Sequence, residues 1–122
     1  MTPLFFEHLQ TFATVKNVLG DSPLRVFPFG SAPQGVKLPY AVFQVISGTP
    51  ENYFDCAPDI DSFTIQIDVY ANDTGTLNNA KTAIINAIEK RAYVVRFHSN
   101  EYNSETERYR SGLDIDWYEK RT

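Results

Sequence analysis

The sequence predicts an α+β domain with a largely antiparallel sheet of about four to five strands and two helices packed on one face. Three observations carry that prediction. Phe63, Ile65, Ile67 and Val69 alternate with Thr64, Gln66, Asp68 and Tyr70, the period of a strand with one face on a core. Leu77, Ala80, Ala83, Ile84, Ala87 and Ile88 recur at helical spacing. The whole chain reads helix, strand, strand, strand, helix, strand, strand, which lacks the regular alternation that builds a parallel sheet. At 122 residues the chain has room for one domain, spanning 1–122.

In chain order, a first helix is predicted from Pro3 to Leu19, with Thr2 as cap, Pro3 at the first position and Gly20 as stop. Phe5, Leu9, Phe12 and Val15 give it one apolar face, and His8 beside that face reads as a packed histidine. Arg25 to Phe27 is a short extended piece. Pro28, Gly30, Pro33, Gly35 and Pro39 then make Pro28 to Pro39 a loop. Tyr40 to Ile46 is apolar on both faces apart from Gln44 and reads as a central or doubly covered strand, ended by Gly48 and Pro50. A second loop, Thr49 to Asp61, holds Glu51, Asp55, Asp59 and Asp61 around Tyr53 and Phe54.

After the Phe63–Tyr70 strand, Asn72 to Thr76 is a turn in which Thr74 or Thr76 caps the second helix, which ends near Lys90. Tyr93, Val95 and Phe97 alternate with Val94, Arg96 and His98 in a further strand, and Ser99 to Ser104 is polar and turn-like. Tyr109, Ser111, Leu113, Ile115 and Trp117 alternate with Arg110, Gly112, Asp114, Asp116 and Tyr118, so the chain ends in a strand.

Several chemistries are disfavoured. A net charge of −4 offers no long-range field for gathering nucleic acid. One cysteine, Cys56, removes any internal disulfide framework and suits a reducing compartment. No apolar run is long enough to span a membrane, and the N-terminus lacks the features of a signal peptide, so a soluble protein is expected. The two histidines, His8 and His98, sit in no triad pattern, and no glycine-rich phosphate loop is present. No catalytic residue, cofactor or metal site is therefore assigned. The acidic loop lacks the alternate ligands and central glycine of an EF-hand. Asp68, Asp114 and Asp116 would sit on outward strand faces, where a divalent ion for phosphodiester cleavage competes with simple pairing to Arg96, Arg108 and Arg110. The many tyrosines suit packing and protein interfaces better than base stacking, since basic residues do not interleave with them.

Several segments together carry a resemblance: Gly20-Asp21, Arg25-Val26-Phe27-Pro28, Ala32-Pro33-Gln34, Leu38-Pro39-Tyr40, Gly48-Thr49-Pro50, Gln66-Ile67-Asp68-Val69-Tyr70, Glu105-Thr106, Arg108-Tyr109-Arg110 and Leu113-Asp114-Ile115. In this order the chain resembles the tail completion proteins of long-tailed bacteriophages, the tail-to-head joining or tail terminator group. The departure is Ser22-Pro23-Leu24, inserted between the Gly-Asp and Arg-Val pieces.

That resemblance implies a non-catalytic virion protein, assembled in the host cytoplasm, at the head-proximal end of the tail. It would cap the tail tube as a hexameric ring, stop its growth, and meet the head connector while DNA passes through the lumen. Its partners would be other copies of itself, the tube protein and the connector. A tube or head-closure subunit is the alternative, with a metal-dependent nuclease a distant third. A heterologous ring needs two different faces per subunit. The loops supply candidate partner-binding residues: Pro33 and Gln34 in the first, Tyr53, Phe54, Asp55, Asp59 and Asp61 in the second, and Asn100 and Tyr102 between His98 and Ser104.

Overall fold

Strict alternation over two long segments builds the centre of the sheet. The computed structural model describes residues 5–21, 24–50 and 60–120, with side chains for 5–21, 24–46 and 62–118. Strands β3 (Ile60–Ala71) and β6 (Arg108–Lys120) pair antiparallel from Ile60 opposite Lys120 to Ala71 opposite Tyr109. Successive strand residues point to opposite faces. Phe63, Ile65, Ile67 and Val69 therefore share one face with Leu113, Ile115 and Trp117, and all seven are buried. Each such aliphatic side chain contributes about 1.5–3 kcal/mol by leaving water.

Strand β2 (Tyr40–Pro50) lies antiparallel to β3, with Tyr40 opposite Tyr70 and Pro50 opposite Asp61. Gly48 and Pro50 thus lie inside the ladder instead of ending it. The register shifts between Val45 and Ser47, and beyond Phe43 no described strand pairs with the other side of β2. An edge position tolerates a proline and a glycine that an interior strand would not. Thr49, Pro50, Ile60 and Asp61 are accordingly strand and not loop. The short β1 (Val26–Pro28) pairs parallel with Ala41–Phe43.

Strand β4 (Ala92–Phe97) pairs antiparallel with β6 on its far side, and β5 (Glu101–Asn103) pairs with Arg108–Arg110. Among the described residues the sheet has six strands in the order β1-β2-β3-β6-β4, with β5 also beside β6. It is therefore one or two strands larger than expected, and mixed through the β1–β2 pair.

Two expectations fail for definable reasons. The segment 99–104 is not only a turn: its residues are exposed on both sides, so polarity conceals the β5 hairpin, which the Asn103 side chain closes by accepting from the Glu105 and Thr106 amides. In β4 the register shifts between Val94 and Arg96. An extra residue resets the two-residue period. Ala92 is buried and Val94 half-buried, while Tyr93, Val95 and Phe97, expected to share one face, are all exposed.

The first helix is broken in two, α1 (Phe5–Leu9) and α2 (Ala13–Leu19). The Thr11 hydroxyl donates to the His8 carbonyl at 2.7 Å, and the Thr11 and Phe12 amides bond three residues back, at 3.1 and 3.2 Å. Such local bonding competes with the helical ladder. Phe12 then takes extended geometry as the start of α2, and Gly20, at φ 88°, donates to Lys16 at its end. Of the predicted apolar face Phe5, Leu9 and Val15 are buried and Phe12 is half-buried at the break, and Leu19 is buried as well. The predicted start at Thr2 and Pro3 lies outside the described residues.

The third helix, α3 (Thr74–Ile88), buries all six residues of its predicted apolar face. Its cap is Asp73, whose Oδ1 accepts from the Thr76 amide at 2.6 Å and whose Oδ2 accepts from the Thr76 hydroxyl at 3.0 Å. Those bonds hold the Asp73 carboxyl below its ordinary pKa. The helices cover one face of the sheet: Phe5 touches Phe43 and Trp117 at ring distances of 5.1 and 5.7 Å, and α3 packs on β3, β6 and β4. His8 is a packed histidine, as expected, with Nε2 2.8 Å from the Ala87 carbonyl and its ring against Phe12 and Trp117.

Candidate functional site

The residues that alternate with the core lie on the opposite face of the sheet, which none of the described helices covers. Thr64, Gln66, Asp68 and Tyr70 of β3 stand opposite Asp116, Asp114, Gly112 and Arg110 of β6. Strand pairing brings Asp68, Asp114 and Asp116 onto one face, as the outward positions predict, but each carboxylate has its own partner. Asp116 Oδ1 accepts from the Thr64 hydroxyl at 3.0 Å, and Asp68 Oδ2 accepts from Gln66 Nε2 at 3.2 Å. Asp114, almost fully buried, has its Oδ1 2.9 Å from His98 Nε2. Among the described residues no three His, Cys, Asp or Glu side chains are placed to hold a metal ion.

The expected arginine pairing is correct for one residue of three. Arg110 reaches Asp68 Oδ1 at 3.5 Å and Glu101 Oε1 at 2.5 Å. The bond to Glu101 comes first in holding its guanidinium pKa above the ordinary value. Arg108 instead donates to the Tyr40 hydroxyl at 3.0 Å and lies 5.7 Å over that ring. Arg96 stands opposite Asp114 in register, yet the bond to Asp114 is made by His98. Gly112 leaves the space these groups use: a Cβ there would sit 2.7 Å from Asp68 Oδ1 and 3.2 Å from the His98 ring.

Toward the β5 end, this face carries an aromatic patch. Tyr40 stacks on Tyr70 with centroids 4.9 Å apart and planes at 17°, and Phe27 meets Tyr40 edge-on at 6.3 Å. Burial, then the Asp68 charge, pushes the Tyr70 phenol pKa up, so it stays a neutral hydroxyl. Tyr40, Tyr70, Arg108, Arg110, the β5 residues and Ser104–Thr106 line an open groove of about 760 Å³. Its chemistry is recognition by stacking and hydrogen bonding, with Arg110 shared between Asp68 and Glu101 and Arg108 bonded to a neutral hydroxyl.

Of the loop residues expected to meet partners, Pro33 and Gln34 are exposed in the turns between β1 and β2, and Asn100 is exposed just before β5. Tyr102 is in β5, half-exposed, with its ring 4.6 Å from Tyr109. Asp61 lies in β3 opposite Pro50. Tyr53, Phe54, Asp55 and Asp59 lie outside the described residues. The Tyr40, Tyr70, Arg108 and Arg110 groove was not foreseen as a surface, since it exists only through the β2–β3 and β3–β6 registers.

A sheet with one bare polar face, whose side chains are held by hydrogen bonds and ion pairs among themselves, defines a binding or assembly module. The comparisons place it more closely: the chain belongs to the tail completion protein gp17 family, whose model matches residues 4–120. It is a structural protein of phage tail assembly. The fold is similar to that of a chain from the virion of a native gene transfer agent particle, at 13% identity and a TM-score of 0.68, covering 93% of this chain and 90% of that one. No curated protein matches the chain. Among the described residues no helix is long and apolar enough to cross a membrane.

Proposed function

We propose that the protein caps the polymerised tail tube at its head-proximal end, as a hexameric ring assembled in the host cytoplasm, and joins it to the head connector. The observation that carries this reading is the family match over residues 4–120, nearly the whole chain. A ring of identical subunits needs two unlike surfaces on each. The helix-covered side, the bare polar face and the sheet edges provide surfaces of different chemistry. Partners on the ring axis are the tube protein below and the connector above, and DNA passes through the lumen without being held.

The lumen follows the same logic. Acidic walls let DNA slide because like charges do not adhere. The sequence concentrates acid from Glu51 to Asp61, with Asp55 and Asp59 between them and no lysine or arginine in that stretch. Reversing Asp55, Asp59 and Asp61 to Lys should slow or block DNA passage; unchanged infectivity would remove the acidic lumen from the reading.

Electron microscopy of particles from a producing host with the gene interrupted tests the whole assignment. Tails of abnormal length beside filled, tailless heads are expected. Normal-length tails that fail to join heads would leave a joining role only, and intact virions would overturn the proposal. Self-polymerisation of the purified chain into long tubes would instead identify a tube subunit.

A further inference from the structure

Among the described residues the sheet is unfinished at both ends, and the two ends match. On one side β4 is an edge strand with Tyr93, Val95 and Phe97 exposed at 69, 53 and 60%. On the other, β1 covers only Ala41–Phe43 of β2, so among the described residues the backbone from Gln44 to Pro50 forms a second open edge, where Val45 and Ile46 are exposed at 43 and 48%. Natural edge strands are ordinarily protected by lysine, proline or inward charge. Ala92–Phe97 contains one charge, Arg96, which stands opposite Asp114, and Gln44–Pro50 contains no charge and a single proline, Pro50, at its end.

Register shows that the edges lie at one level. Ala92 pairs with Trp117, Trp117 with Phe63, and Phe63 with Gly48. In the same way Val94 aligns through Ile115 and Ile65 with Val45, and Arg96 through Asp114 and Gln66 with Gln44, the last residue before the stretch that β1 holds. Direction agrees as well. From β2 through β3 and β6 to β4 every pairing is antiparallel, so β2 and β4 run in opposite senses. Rotation about an axis along the strands preserves each sense, so β4 of one copy meets β2 of the next antiparallel, and level edges need no rise per step. Rotation without rise is what closes a ring instead of extending a filament. Charge agrees too: Lys90 and Arg91 precede β4, whereas Glu51 follows β2 in the sequence.

We propose that β4 of one subunit adds to the open Gln44–Pro50 edge of β2 in the next copy of this chain, making the sheets continuous around the ring. Backbone hydrogen bonds then fix the geometry, and Val95, Val45 and Ile46 leave water at the seam. The proposal rests on the ring reading and specifies its interface.

Its test uses cysteine pairs in assembled particles. In a Cys56→Ser background, Val45→Cys and Val94→Cys, the pair that the register brings opposite each other, are introduced singly and together, and purified virions are oxidised and run without reductant. A ladder of covalent multimers from the double variant, absent from both singles, is expected. Incorporation of the double variant with no ladder would overturn the seam. Lysine-directed cross-linking of the wild-type chain in the same virions separates the two claims, because monomer alone there would overturn the ring itself. A charge exchange covers variants that fail to enter particles. Val95→Lys and Val45→Glu should each abolish incorporation and together restore it, while failure of the pair to rescue two defective singles would also overturn the seam.

Discussion

The two faces of the β3–β6 pair come from the same residues in alternation, yet they are organised by different forces. On the helix side Phe63, Ile65, Ile67, Val69, Leu113, Ile115 and Trp117 are buried together, and stability there scales with apolar area and close packing. On the bare side Thr64, Gln66, Asp68, Asp114 and Asp116 are held by directional bonds, with Gly112 leaving room for them. Burial under the helices makes the first face intolerant of volume change. None of the described helices covers the second, so the half-buried Thr64, Gln66 and Asp68 remain available to another molecule while holding a fixed shape.

Mutations should separate these regimes. The largest effect is expected from Trp117→Ala, which removes the largest fully buried side chain and should cost about 3–5 kcal/mol in urea denaturation. A loss below about 1 kcal/mol would mean that this face is not the core of stability. Gly112→Ala transfers the steric argument to the polar face. Its Cβ meets Asp68 and His98, and about 1–3 kcal/mol should be lost, with the His98 ring resonances displaced in NMR spectra. Unperturbed His98 signals would contradict the packing described.

Asp114→Asn should cost about 1 kcal/mol by weakening the bond to His98, and a double-mutant cycle with His98→Ala should find the coupling. Asp73→Ala acts on the helix that covers the apolar face. Because the folded state lowers this carboxyl's pKa, its contribution is complete above the ordinary carboxylate range and vanishes as pH falls through the lowered value. The variant's Tm deficit should therefore be largest near neutral pH and close in acid; a deficit independent of pH would rule out the charged cap. The smallest effect belongs to Ser111→Ala. Its hydroxyl is fully buried on the helix side with no hydrogen-bond partner among the described residues, so the change should be neutral or slightly stabilising. Clear destabilisation would reveal a partner for that oxygen.

Much of the fold was legible because it depends on period. The Phe63–Val69 alternation, the α3 face from Leu77 to Ile88 and the C-terminal strand all lie where spacing places them, since a residue's face depends only on its position within its own element. Failures fall where one local event resets the period. Thr11 breaks the first helix, and the shift at Val95 splits an apparent stripe, leaving Tyr93 opposite Asp116 and Phe97 opposite Leu113 on different faces. The candidate site was less legible. Outward Asp68, Asp114 and Asp116 could be named, but the choice of partners could not: His98 rather than Arg96 bonds Asp114, and Arg108 turns to Tyr40.

The order of motifs by itself determined the α+β class, the buried faces and the resemblance to tail completion proteins that the family match bears out. Only the tertiary structure decided the sheet order, the parallel β1–β2 pair, the groove at Tyr40 and Tyr70, and the two open edges at one level. The physical reason is that a side chain's face is set by the local helical or strand repeat, whereas a neighbour across the sheet is set by register. Register is fixed by all the strands burying their apolar faces at once.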